Sequence, residues 1–385
     1  MLLMFLIMLV TIVGPCHGWY LDASCRSNQD DREAFVKKWM ASAFELSKAA
    51  SRALDELERD RSVQYRNRGE MHIARSATIE TLFNSLHDLI RSPPPNSANL
   101  PPLNNPDWIL VKDRFKQVNV LDSQQKEHNP TDDPAHRYLG LPSSEVIIYC
   151  DYSRFRIAEQ CITRAWNPGY ACDTSIGLDV KMDQAFVECQ DSLNSPTLEI
   201  AWSQPATLFG MPYPLPPVQM PAQIQICPGH LRDALYQRPI RRGVPFFQVI
   251  EELRDQVARN PGALNRRFKA KFKFKFPAKS GNDLVMLGDG RMLYSLLSTL
   301  LNGPGGVDGP NSLGFDNCVR LSGDKERKDD GTDRSRALDN TENYVFFAIN
   351  CALIDAPPGK SRIAILRGQL GRLTRQGATS TAETE

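Results

Sequence analysis

Arg291-Met-Leu-Tyr-Ser-Leu-Leu-Ser-Thr-Leu-Leu-Asn302 places Leu293, Leu296, Leu297, Leu300 and Leu301 at spacings of three and four. That is the apolar stripe of a helix laid against a core. A Gly/Pro loop containing Asp308 follows, then Gly314-Phe-Asp-Asn-Cys-Val319, then Ala337-Leu-Asp-Asn-Thr-Glu-Asn-Tyr-Val-Phe-Phe-Ala348. The last stretch predicts a helix over 337–353 with Tyr344, Phe347 and Cys351 on one face, where Tyr344 reads as a core anchor. Upstream, Val146–Tyr149, Gly177–Val180, Leu198–Trp202 and Gln223–Ile226 are short, apolar or alternating, and bounded by turn residues. They predict strands, and strands together with long helical patterns define an α+β chain.

This succession of buried helix, loop aspartate and later helix resembles the fungal secreted zinc metalloendopeptidases of the deuterolysin and peptidyl-Lys metalloendopeptidase type. Three further segments carry the resemblance in the same order: Trp19-Tyr-Leu-Asp-Ala-Ser-Cys25, Val146-Ile-Ile-Tyr-Cys-Asp151 and Ile224-Gln-Ile-Cys-Pro228. The family's helix reads T-x-x-H-E-x-x-H. Laid over this chain, its two zinc histidines fall on Ser298 and Asn302 and its general-base glutamate on Thr299, while Asp308 stands as a relic ligand. The family tyrosine past that aspartate has Asn311 and Leu313 as its nearest equivalents. The resemblance implies a zincin-like fold from which zinc is expected to be absent.

The chemistry explains that expectation. Zinc needs about three imidazole, thiolate or carboxylate ligands and an open position for a water it can acidify. A serine hydroxyl and an asparagine amide are weak ligands, and a threonine hydroxyl does not titrate near neutral pH. Elsewhere, no two of His72, His87, His128, His136 and His230 stand four apart as a helix-borne pair requires. His72 and His87 read as surface or capped residues, and His128–His136 as a solvated turn cluster. No nucleophile elbow, P-loop or dinucleotide fingerprint occurs; Gly303–Gly306 follows a helix and reads as a turn.

Composition sets outer bounds. The 385 residues are 41% hydrophobic with net charge +1, enough for a large core and too balanced to attract a partner by bulk charge. Residues 1–13 are unbroken apolar sequence and Gly14–Gly18 a break, which reads as a secretory leader over 1–18, with an uncleaved anchor as the alternative. No later stretch is apolar enough to span a bilayer. Without Cys16, eight cysteines remain, Cys25, Cys150, Cys161, Cys172, Cys189, Cys227, Cys318 and Cys351, an even set that predicts four disulfides of unassigned pairing, concentrated locally over 150–189. The absence of any usable N-x-[ST] sequon predicts secretion without N-glycosylation.

The organisation follows from pattern breaks. Val36, Met40, Ala43, Ala50, Leu54 and Leu57 predict a helix over 30–59, and Ile73, Ala77, Leu82, Leu86 and Leu89 a second over 69–91, forming an antiparallel pair. The Pro/Asn-rich stretch of about 93–144 reads as an insertion wrapping the surface, and 357–385 as a disordered tail, leaving 19–356 as the zincin-like domain. The proline-rich run over 203–221 suits an extended loop at the sheet edge, and Phe246–Arg259 another helix. Arg266, Arg267, Lys269, Lys271, Lys273 and Lys275 alternate with aromatic or small residues as a strand would, lysines on one side. This is either an outer strand protected from aggregation or a ribbon for polyanions.

Three functions are therefore open. The first is a secreted pseudo-protease that binds a peptide or protein without cutting it. The second is an active metalloendopeptidase with unrecognised ligands. The third is a polyanion or surface adhesion module on the Lys269–Lys275 strand, salt-sensitive and without specificity for nucleic acid.

Overall fold

The computed structural model describes residues 18–26, 31–62, 69–91, 103–122, 125–126, 145–161, 163–175, 177–191, 197–199, 207–208, 211–212, 222–236, 288–301, 314–327, 333–355, 363–366 and 369–372. Helix α1, Arg32–Arg59, buries Val36, Met40, Ala43, Ala50, Leu54 and Leu57 as its spacing predicts, and Trp39 and Phe44 with them. Its alanines let neighbouring backbones approach closely. Helices α2 (Glu70–Leu82), α3 (Asn84–Arg91) and α4 (Pro106–Asp122) follow. The second predicted helix is thus two, broken at Phe83, whose φ of −141° is not helical. The buried face of α2 agrees with expectation at Leu82 and differs elsewhere: Ala77 is exposed while His72, Arg75 and Ile79 are buried. Arg75 can sit inside because Glu56 of α1 and Asp355 both pair with it.

Helix α4 corrects the reading of 93–144 as a surface insertion. Trp108, Val111, Phe115, Val118 and Leu121 all belong to the main core. The helix runs antiparallel to α1: Asp122 meets Lys48 at 2.5 Å, Asn119 donates to Ser51 Oγ at 2.8 Å, and Lys112 lies 2.7 Å from both Asp55 and Glu58. Trp108 Nε1 and the Leu103 N–H also donate to Glu58. Burial pushes the Glu58 carboxyl upward, but Lys112 and these two donors outweigh it and hold it below its ordinary value. A depressed carboxyl stabilises fully above the unfolded value of about 4.3, and that contribution is lost as pH falls through the folded value. Glu58→Gln is therefore expected to cost about 1–3 kcal/mol at neutral pH. Urea unfolding at pH 7 and pH 3 should show the difference from wild type shrinking in acid.

The main sheet has strand order β2-β1-β3-β10-β7. Its members are β1 (Trp19–Leu21), β2 (Gln125–Lys126), β3 (Val146–Tyr149), β7 (Thr197–Glu199) and β10 (Ala222–Ile226). All pairs are parallel except β7 with β10. Alternation sends Trp19, Leu21, Val146, Ile148, Ile224 and Ile226 into the helical core. The opposite row, Tyr20, Ile147, Tyr149, Gln223 and Gln225, is equally buried but largely polar. Helix α5 is Gln184–Asp191 and α6 Pro228–Tyr236, while β8 (Thr207–Leu208) and β9 (Met211–Pro212) make a short ribbon.

Helices α7 (Gly288–Leu301), α8 (Phe315–Gly323) and α9 (Thr341–Ile354) complete the helical layer. Every residue of α9 is buried, the behaviour of a helix apolar almost all round. Tyr344 is the expected anchor: its hydroxyl donates to Leu338 O at 2.8 Å, and its ring and that of Phe347 meet Phe83 and Phe115. The mixed-charge loop of 324–333 contains β11 (Lys325–Arg327), paired with β12 (Asp333–Ser335). Within the predicted disordered tail, β13 (Ile363–Leu366) pairs with β14 (Gln369–Arg372). Ile365 is buried in the core and its N–H donates to Asn350 Oδ1 at 2.7 Å, which is what orders this part of the tail.

A second, three-stranded sheet joins β4 (Phe155–Glu159), β5 (Trp166–Asp173) and β6 (Leu178–Lys181). Its inner face holds Phe155, Ala171 and Val180 against Phe186 of α5. Three disulfides, Cys25–Cys150, Cys161–Cys172 and Cys189–Cys227, replace the four predicted. Only Cys161–Cys172 is local to 150–189; Cys150 and Cys189 pair outward. Cys318 and Cys351 are buried and stand outside these three bonds. Cys318 lies beside Glu342 at the start of α9, whereas Cys351 is nine residues further along it. At 1.5 Å per residue that is about 13 Å along the helix, beyond disulfide reach.

Candidate functional site

Helix α7 is packed against β7, β10 and α9, so its outer turn meets the antiparallel end of the main sheet. Two hydroxyls stitch this contact: Ser295 Oγ donates to Thr197 Oγ1 at 2.9 Å, and Thr197 Oγ1 to Arg291 O at 3.4 Å. One turn on, Ser298 and Thr299 are adjacent and half-buried. The Thr299 hydroxyl donates back to Ser295 O at 2.7 Å, with Leu296 O at 3.4 Å. This is the local bond by which a threonine satisfies itself inside a helix. It leaves the hydroxyl oriented into its own turn and, lacking a titratable proton near neutrality, unable to activate water.

Of the predicted site residues, only Ser298 and Thr299 fall within the described residues. Asn302 and Asp308 lie outside them, as do Asn311, Leu313, His128, His136 and the run Arg266, Arg267, Lys269, Lys271, Lys273 and Lys275. Among the described residues no group of three or more His, Cys, Asp or Glu side chains is placed to hold a metal ion, and no helix is long and apolar enough to cross a membrane. The histidines read as surface residues are interior: His72 and His87 are buried, with Nδ1 of His72 3.8 Å from Asp60 and Nε2 of His87 3.5 Å from Glu80. His230 is buried too, its ring 5.9 Å from that of Trp39.

Sequence reading missed the polar cluster that ties α8 to α9. Glu342, nearly inaccessible, accepts from the Gly314 N–H and lies 3.9 Å from the Cys318 thiol. Asn340 Nδ2 bonds Asn343 Oδ1 at 2.6 Å and approaches Cys318 Sγ at 3.6 Å, while Asn343 Nδ2 donates to Leu82 O and Cys318 O. These bonds tie the start of α9 to α8 and to the end of α2. Further along α9, burial pushes the Cys351 thiol up. The signal that hid both was the even cysteine count.

No protein-family model, curated protein or solved structure matches the chain.

Proposed function

We propose that this is a secreted, zincin-like protein whose metal site has been lost and which acts by binding a peptide or protein rather than cutting it. The observation that supports this most directly is Thr299: where the resemblance expects a general-base carboxylate, a hydroxyl is committed to the Ser295 carbonyl at 2.7 Å. Beside it, β7 is the antiparallel member at the end of the sheet order, and an extended peptide would lie along such an edge through main-chain hydrogen bonds. Three disulfides agree with an oxidising, extracellular setting.

Metal analysis of the purified, secreted protein tests the reading. Sub-stoichiometric zinc and no chelator-sensitive proteolysis are expected; one zinc per chain with chelator-sensitive cleavage would overturn it. A complementary variant, Ser298→His with Asn302→His, restores two imidazoles four residues apart in the sequence, with Asp308 six residues further on. It is expected to tighten zinc binding on the order of 100-fold, because deprotonated nitrogen ligands replace a hydroxyl and an amide. Unchanged zinc affinity in a folded double variant would show that these positions do not converge as proposed.

A further inference from the structure

The three-stranded sheet turns its second face outward. Phe155, Ala171 and Val180 point into the small core, so alternation directs Arg156, Tyr170, Cys172, Asp179 and Lys181 the other way. Between Ile157 and Glu159 the register shifts at Ala158, whose φ is +57°. This bulge brings Glu159 round to the side of Arg156, and the two pair at 3.2 Å. Directly across from Glu159 in the ladder stands Trp166, 76% exposed. A tryptophan is a heavily buried residue on average. Here the ring is carried in the open on a hairpin closed by Cys161–Cys172 and by the Gln160–Ala165 and Gln160–Arg164 backbone bonds.

We propose that this outer face binds a neutral oligosaccharide, with Trp166 as the stacking platform and the Arg156–Glu159 pair bonding sugar hydroxyls. Three observations select that occupant. The outward charges of the strands, Arg156 and Lys181 against Glu159 and Asp179, cancel, and among the described residues a polyanion would find only Arg164 in the turn beyond them. Among the described residues the exposed apolar surface on this face is the Trp166 ring and Pro168, with half-buried Tyr170 further along the same strand. A protein interface needs a contiguous core of apolar side chains within about 800 Å² per partner. A sugar ring instead offers a C–H face of aromatic size rimmed by hydroxyls. The flat indole meets the first, and a fixed carboxylate and guanidinium, acceptor and donor, meet the second. Because the disulfide and the bulge hold these groups in place already, little ordering is required on binding.

The experiment titrates the intact secreted protein with β-1,4-linked hexasaccharides of glucose and of N-acetylglucosamine and with a mannose hexasaccharide. Each is taken to about 10 mM, where even a millimolar complex is well populated. Saturable calorimetric binding of at least one, accompanied by a change in tryptophan fluorescence, is expected. Trp166→Ala should weaken it about tenfold or more, Trp166→Phe should retain most of it, and both should melt within a degree or so of wild type because the ring is exposed. Absence of saturable binding to all three sugars would overturn the proposal. So would wild-type affinity in Trp166→Ala.

Discussion

Cys25→Ser with Cys150→Ser is expected to lower the stability of the fold by about 5 kcal/mol, against about 3 kcal/mol for removal of Cys161–Cys172. The reasoning rests on loop length. The first bond joins residues separated by 125 positions and the second residues separated by 11, and the entropy withheld from the unfolded chain grows with the logarithm of the enclosed loop. Location reinforces the difference. Cys25 ends the segment that begins with β1, and Cys150 follows β3 directly, so the bond pins two paired strands whose ladder is only three residues long. Ser24 Oγ accepts the Cys150 N–H at 3.0 Å and Asp22 N donates to Ile148 O at 2.9 Å, but these bonds alone hold little without the covalent link. Urea unfolding followed by circular dichroism measures both variants. A smaller loss for the Cys25–Cys150 variant than for the Cys161–Cys172 variant would show that the unfolded chain is already constrained near this strand pair.

How far the sequence carried the fold depended on whether a segment's own pattern or its neighbours' determined it. Helix α1 and strands β3 and β10 were legible because each presents one uninterrupted apolar period to one core. Helix α4 was not, since Asn105-Pro106 in a proline-rich stretch reads as a turn. In the structure the same dipeptide opens the helix: Asn105 Oδ1 accepts from the Asp107 and Trp108 N–H groups at 3.0 and 3.1 Å, and Pro106 occupies the first turn, where its missing N–H costs nothing. The buried face of α2 was illegible for a different reason. An arginine enters a core only when carboxylates from distant parts of the chain, here Glu56 and Asp355, meet it there. At the candidate site the sequence supplied residue identity, hydroxyls at Ser298 and Thr299. That the Thr299 hydroxyl is consumed by Ser295 O is a property of the helix geometry.

The same logic of distant partners governs the joint between the two sheets, where the second large effect is expected. Asp173, wholly buried, accepts from Arg154 Nε at 3.0 Å and from the Ser175 N–H and hydroxyl at 2.9 and 2.6 Å. Arg154 lies 3.4 Å from the Tyr149 ring centroid and 4.1 Å from that of Phe155, and its Nη1 donates to Gln225 Oε1 at 2.6 Å. Tyr149 and Gln225 belong to the main sheet and Asp173 and Phe155 to the small one, so a single guanidinium spans the joint. Asp173→Ala is expected to cost about 3–5 kcal/mol, because it strands the Arg154 charge where water does not reach. Arg154→Met leaves the carboxylate stranded instead. The double variant Arg154→Met with Asp173→Ala removes both charges together, so its loss should fall short of the sum of the singles by about 1–3 kcal/mol. Hydrogen exchange locates the damage: in Asp173→Ala the amides of Ala171 and Val180 should exchange faster, while those of α1 and α9 keep their protection. Uniform acceleration throughout the chain would mean that the two sheets open as one unit and that the guanidinium is not their joint.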